Sequence, residues 1–159
     1  MAAANALERS DDDFLALERQ VCFALALASR GVISVYRPLL EPMGLTHPQY
    51  LVMLARWEHE PLSVKEISAL LQLEPATLSP LLKRLEATGY VKRERDPADE
   101  RTLRVTLTDE GRAVREQALD IPPAIMARLQ MSREELEDLH RTLTHVIGQA
   151  QRALQTPAD

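Results

Sequence analysis

A single cysteine, Cys22, stands in a chain of 159 residues. It lies in the apolar stretch Leu17-Glu18-Arg19-Gln20-Val21-Cys22-Phe23-Ala24-Leu25-Ala26-Leu27. A lone thiol has no disulfide partner within its own chain. Either it packs as a small hydrophobe, or its chemistry involves something from outside, an oxidant above all. Tyr36 follows 14 residues later. At about 100° per residue the two side chains fall within roughly 40° of each other on one helix face, and at ~1.5 Å rise they are about 21 Å apart along the axis. In a continuous helix Tyr36 therefore cannot hydrogen-bond Cys22 of its own chain. It can do so only across an antiparallel dimer whose two-fold axis passes near Ser29.

A second set of residues could read nucleic acid. Ala76, Thr77, Ser79, Pro80 and Lys83 lie between leucines spaced for a helix. Their short side chains permit close approach to base edges, and the two hydroxyls can donate or accept hydrogen bonds. Arg95 precedes the segment Asp96-Pro97-Ala98-Asp99-Glu100-Arg101, which contains Asp99 and Arg101. Arg101 at the tip of a hairpin suits a narrow minor groove, with Asp99 expected to hold its guanidinium by a charge-assisted hydrogen bond. The alternative for this pair is an ordinary surface ion pair. Metal and nucleotide chemistry are not expected. His47, His59, His140 and His145 are scattered, and His140 and His145 are five apart rather than four. The five glycines form no phosphate loop. No cofactor and no enzymatic activity are expected.

The elements that must carry these residues can be read from pattern. Asp11 to Asp13 place negative charge at an expected helix start. Apolar residues then recur from Phe14 to about Leu40, with Pro38, Pro42 and Gly44 making the end ragged. So long a helix is a candidate dimerisation element. Thr46–Gln49, Ser63–Glu66 and Ser132–Glu135 each fit a capping box. They predict a helix from His47 to about Trp57 with Leu51, Leu54 and Ala55 on one side, a short helix through Ile67 and Leu70, and a final helix carrying Leu136, Leu139, Leu143 and Ile147. Pro75 suits a first helical turn, and Leu78, Leu81, Leu82 and Leu85 follow at helical spacing up to Gly89. Leu103, Val105 and Leu107 alternate with polar residues, which predicts a strand paired with Val91–Arg95. Thr108 and Asp109 start a further helix, weakened by Gly111 and interrupted at Pro122-Pro123.

Short helix, turn, helix and β-hairpin, in that order over residues 63–107, make a winged helix-turn-helix within a mainly α chain. Composition is compatible. Apolar residues at 45% suffice for a core, although aromatics at 4% leave it to aliphatic side chains. The net charge of -5 is uneven. Residues 83–104 hold seven cations against five anions, whereas residues 1–20 hold two against five. Binding to a polyanion depends on the charge that faces it. A single cysteine suits a reducing cytosol. No apolar run is expected to reach the ~18 residues of a membrane span, and the N-terminus lacks a secretion signal. A cytoplasmic location is expected.

Asp99-Glu100-Arg101-Thr102-Leu103-Arg104-Val105-Thr106-Leu107-Thr108-Asp109-Glu110-Gly111 resembles the wing signature of the MarR family of bacterial transcription regulators. Gln20-Val21-Cys22-Phe23-Ala24-Leu25, Val35-Tyr36-Arg37-Pro38-Leu39-Leu40, Gly44-Leu45-Thr46-His47-Pro48-Gln49-Tyr50-Leu51-Val52-Met53-Leu54 and Leu78-Ser79-Pro80-Leu81-Leu82-Lys83-Arg84-Leu85-Glu86 resemble its organic-hydroperoxide-sensing branch, the OhrR repressors. The similarity covers roughly residues 14–115. It implies a homodimer on palindromic double-stranded operator DNA, with Cys22 as the peroxide sensor and Tyr36 and His47 in the partner subunit's sensor pocket. It implies DNA contacts from Ala76, Thr77, Ser79, Lys83, Arg95, Asp99 and Arg101. The division it suggests is a tail over 1–12, a sensor and dimerisation helix over 13–45, the winged domain over 46–108, C-terminal dimerisation helices over 109–155 and a tail over 156–159.

Three positions depart from the branch. His47 stands where a second partner tyrosine is usual. It could donate a hydrogen bond, favour the thiolate if charged, or sit in solvent. Ala26 replaces another common tyrosine, and Pro75 replaces a small polar residue at the start of the recognition helix. With no second cysteine, the oxidised sulfur must condense with a small cellular thiol or be overoxidised. The alternative function is a repressor of the same fold released by a small aromatic or lipophilic ligand, with Cys22 inert. A thiol peroxidase and a helical adaptor that does not touch DNA are less well supported by the pattern.

Overall fold

A computed structural model describes residues 15–155. The expected helix start at Asp11 to Asp13 and the tails over 1–12 and 156–159 lie outside them. The long first helix begins later than its apolar pattern. Leu17–Arg19 forms a 3-10 turn, Gln20 is extended at φ -78° and ψ 120°, and α1 runs over Val21–Leu40. Leu15 and Leu17 are 82% and 62% exposed, so these two leucines gain little burial that would hold the stretch as a regular helix. Pro38 lies inside α1 without ending it. Glu41–Met43 tightens to a 3-10 turn, and Gly44 closes the corner at φ 66°.

Only Leu40 of α1 is buried in the single chain. The 23 residues from Val21 to Met43 have a mean hydropathy of 1.2 over their most apolar window. By length and composition they could cross a membrane, contrary to the expectation that no apolar run comes close. Small apolar residues such as Ala24, Ala26 and Ala28 keep the average high even where no single stretch is rich in large ones.

Helix α2 spans His47–Glu58, β1 Leu62–Ser63, α3 Val64–Leu71 and α4 Pro75–Thr88. Ser63 accepts from the N–H of Glu66 at 3.1 Å while Glu66 accepts from the N–H of Ser63 at 2.7 Å. Gln49 accepts from the N–H of Thr46 at 2.8 Å. The buried side of α2 is not the expected one. Tyr50, Val52, Met53, Ala55 and Arg56 are buried, while Leu51 and Leu54 are exposed. The run from Tyr50 to Ala55 is apolar throughout, so it carries no phase. Neighbouring α1, α3, α4 and α5 (Asp109–Ala118) choose the face.

Leu78, Leu82 and Leu85 of α4 are fully buried, and Leu81 is partly so. Gly89 ends the helix at φ 89°. Strands β2 (Val91–Arg95) and β3 (Leu103–Leu107) pair antiparallel, with Val91 opposite Leu107 and Arg95 opposite Leu103. The third strand, β1, was not expected. It pairs with the other edge of β3, giving the order β1-β3-β2.

Helix α5 covers Asp109–Ala118 and α6 Ile121–Leu129; the helical run breaks at Leu119-Asp120, and Pro122-Pro123 sit in the first turn of α6. Both bury apolar residues in the subunit's own core. Helix α7, Arg133–Gln155, buries none. Its start carries the expected reciprocal bonds between Ser132 and Glu135.

Gly111 is a requirement rather than a weakness. Thr108 caps α5 by accepting from the N–H of Gly111 at 3.0 Å, and Trp57 Nε1 donates to the Gly111 carbonyl at 2.8 Å. A Cβ at this position would lie 2.0 Å from the backbone oxygen of Tyr90. Backbone cannot step aside as a side chain can. Gly111→Ala should therefore lose about 1–3 kcal/mol or more of stability, seen as a lower urea midpoint.

Candidate functional site

The face expected to meet DNA is built from the outside of α4 and the tip of the β2–β3 hairpin. Ala76, Thr77, Ser79, Pro80 and Lys83 are all exposed, opposite the buried leucines. Pro80 lies in the second turn, where the ring is tolerated at lower cost than further along. An open groove of about 760 Å³ separates the α3–α4 turn from the hairpin, lined by Ser63, Lys65, Gln72, Pro75, Arg101 and Leu103 among others. Arg101 thus lies across a groove from the start of α4.

The hairpin is held by its own charges. Asp96 is buried and accepts from Arg104 Nε at 2.6 Å and from the N–H of Ala98 at 2.8 Å. The Ala98 N–H, then Arg104, hold the Asp96 carboxyl below the usual range. Glu86 of α4 takes Arg93 at both oxygens, from the backbone N–H at 2.9 Å and from Nε at 2.8 Å. Arg93 likewise keeps Glu86 low. Arg95 Nη1 donates to the Glu100 carbonyl at 2.6 Å, so in the free chain this expected DNA contact closes the hairpin.

Asp99 does not grip the Arg101 guanidinium. Its carboxylate accepts from the Arg101 backbone N–H at 3.0 Å and from Thr102 Oγ1 at 2.9 Å. An aspartate two residues back reaches the backbone more easily than the end of a long side chain. The Arg101 guanidinium has no hydrogen-bond or ion-pair partner among the described residues, and the same holds for the side-chain cations of Lys83, Arg84 and Lys92. The carboxylates Asp96 and Glu86 were missed in the sequence. Their partners lie eight and seven residues away across a turn, and only the folded hairpin brings them together.

The thiol site is split. Cys22 is exposed, in the first turn of α1, where helical N–H groups lack intrahelical partners and negative charge is favoured. Tyr36 lies on the same unbroken helix, about 21 Å away along its axis. Tyr36 and His47 come together, their rings 5.1 Å apart and edge to face. Tyr50 joins them at 5.9 Å from Tyr36, and Trp57 continues the cluster at 6.4 Å from Tyr50. Tyr50 and Trp57 were not recognised as part of this group, although Tyr50 follows His47 by one helical step. His47 is half-buried, and burial lowers its pKa, so the uncharged ring is the form favoured at neutral pH. Burial pushes the Tyr36 phenol up, keeping it a hydrogen-bond donor. A second cleft, about 540 Å³, opens beside Tyr36 between α6 and α7 and includes Ile125, Met126, Leu136, Arg133 and His140.

Residues 34–117 match the family described as transcriptional regulator SarA/Rot. Over 131 residues the chain is 42% identical to an organic hydroperoxide resistance transcriptional regulator of Bacillus subtilis, covering 82% of this chain and 89% of that protein. Among solved structures it resembles reduced AbfR of Staphylococcus epidermidis bound to DNA, with a TM-score of 0.67 at 39% identity, covering 86% of this chain and 97% of that one. Overoxidised AbfR bound to DNA gives a TM-score of 0.67 at 37% identity, covering 86% and 99% respectively.

Two outcomes follow from this geometry. Arg101→Ala should weaken binding to an operator duplex by roughly tenfold or more, with an unfolding free energy from urea titration within about 0.5 kcal/mol of wild type because the guanidinium has no partner in the fold among the described residues. The lowered pKa of His47 contributes stability that is complete above its unfolded value near 6.5 and is lost as pH falls toward the folded value. His47→Gln should flatten the stability profile as pH falls below about 6.5 in urea titrations.

Proposed function

This chain belongs to the MarR family of transcriptional regulators, and from that premise we propose that it represses transcription until an organic hydroperoxide oxidises Cys22. The observation that carries the reading is the exposed thiol in the first turn of α1, on a helix whose apolar side chains are left uncovered in the single chain. The dimer explains the exposure. A second copy covers the apolar residues of α1 and α7, and sets Tyr36 and His47 of one protomer beside the reactive sulfur of the other. Each subunit then presents α4 to the major groove of one half-site, through Ala76, Thr77, Ser79 and Lys83, with Arg101 in the flanking minor groove. Arg95 and Asp99 serve by shaping the wing. A palindromic operator in the cytoplasm matches this two-fold arrangement.

The thiolate attacks the terminal peroxide oxygen, the O–O bond breaks, an alcohol leaves, and the sulfur becomes a sulfenic acid. A small cellular thiol condenses with it, forming a mixed disulfide and releasing water. Because an overoxidised relative is seen bound to DNA, release is assigned to the mixed disulfide rather than to overoxidation. A bulky adduct at a packed interface biases the dimer away from DNA-binding spacing.

The cleft beside Tyr36 favours a second reading, release by a small lipophilic ligand. A gel-shift titration separates the two. With cumene hydroperoxide and free cysteine added, wild type should lose the operator and Cys22→Ser should keep it. Equal release of both proteins would falsify the sensing role of Cys22.

A further inference from the structure

The wing is fastened to the rest of the subunit at its base. Tyr90 precedes β2, and Thr108 follows β3. The N–H of Thr108 donates to the Tyr90 carbonyl at 3.0 Å, and Thr108 Oγ1 donates to the Gly89 carbonyl at 2.5 Å. Gly111 presses against the same Tyr90 carbonyl, where no Cβ would fit. These residues form one knot from which both long strands of the wing extend.

Two aromatic side chains tie that knot to the elements carrying Tyr36 and His47. Tyr90 donates its hydroxyl to the carbonyl of Met43 at 2.7 Å. Met43 is buried in the corner between α1, which bears Tyr36, and α2, which bears His47. Trp57 donates Nε1–H to Gly111 at 2.8 Å, and its ring meets Tyr50, which in turn meets Tyr36. Both ties join residues far apart in sequence, and both end at the knot.

We propose that Trp57 and Tyr90 are positioning residues that transmit a shift at Tyr36 and His47 to the wing, through the hydrogen bonds to Gly111 and Met43; this rests on the sensing reading above. The lever is long. Each of β2 and β3 has five residues, about 17 Å at ~3.3 Å per residue. A tilt of about 10° at the knot therefore moves the tip bearing Arg101 by about 3 Å, a full hydrogen-bond length.

Trp57→Phe and Tyr90→Phe keep aromatic rings and delete the two donors. The test measures operator affinity of the full-length protein before and after treatment with cumene hydroperoxide and cysteine, with the state of Cys22 read by intact mass. The double variant should form the adduct as wild type does and bind operator within about threefold when reduced. Its ratio of oxidised to reduced Kd should fall by about tenfold or more, the size of an ordinary coupling. A purely structural role would weaken both forms together and leave the ratio alone. An unchanged ratio with a complete adduct overturns the proposal while sensing stands. If wild type forms no adduct, or forms it and keeps the operator, the sensing reading has failed and the coupling falls with it. Should the double variant not fold, an unchanged ratio in both single variants overturns the proposal, and a reduced ratio in either supports it.

Discussion

Three leucines on one stripe of α4 carry the winged domain. Leu78, Leu82 and Leu85 have no exposed surface, and burying each is worth about 1.5–3 kcal/mol. Their burial sets the rotation of α4 about its own axis. That rotation puts Ala76, Thr77, Ser79 and Lys83 outward, and it places Glu86 where Arg93 can reach it. The hairpin is thereby aimed from the helix that lies beside it. A polar replacement in the stripe would disturb both the reading face and the wing.

The continuous α1 imposes a different order on the thiol site. A thiol in its first turn and a phenol near its end cannot meet within one protomer. What one chain does supply, under the proposed function, is half of a pocket: a neutral histidine, a protonated phenol and the two aromatic rings behind them. This half is partly buried, offers the Tyr36 hydroxyl and the His47 ring as hydrogen-bonding groups, and carries no positive charge on His47 at neutral pH. Under the proposed function, hydrogen bonding rather than an ion pair with that histidine would hold the sulfur.

Local signals in the sequence were reliable. Ser63 with Glu66, and Ser132 with Glu135, make capping boxes that need only four residues, and both form. Alternation from Leu103 to Leu107 identified β3 and its partner with their observed bounds. Features that depend on distant chain were not legible. Two-residue β1 exists only because β3 is beside it. The buried side of α2 was misread because an unbroken apolar run has no phase. Gly111 looked like a helix weakness until Tyr90 arrived from another element. In the site, the closeness of Tyr36 and His47 was suggested by resemblance, whereas the Trp57 bond to Gly111 spans 54 residues and has no local signature.

The charge held inside the wing has a consequence for how the protein meets a duplex. Arg93, Arg95 and Arg104 are occupied by Glu86, the Glu100 carbonyl and Asp96. Cations without such partners, Lys83, Arg84, Lys92 and Arg101, remain on α4 and the wing, in a chain whose total charge is -5. An encounter through that face is attractive, and one through the acidic remainder is repelled. The excess acid then works as an orienting field during diffusion: it disfavours wrong approaches before contact and leaves the uncommitted cations of α4 and the wing to define the productive one.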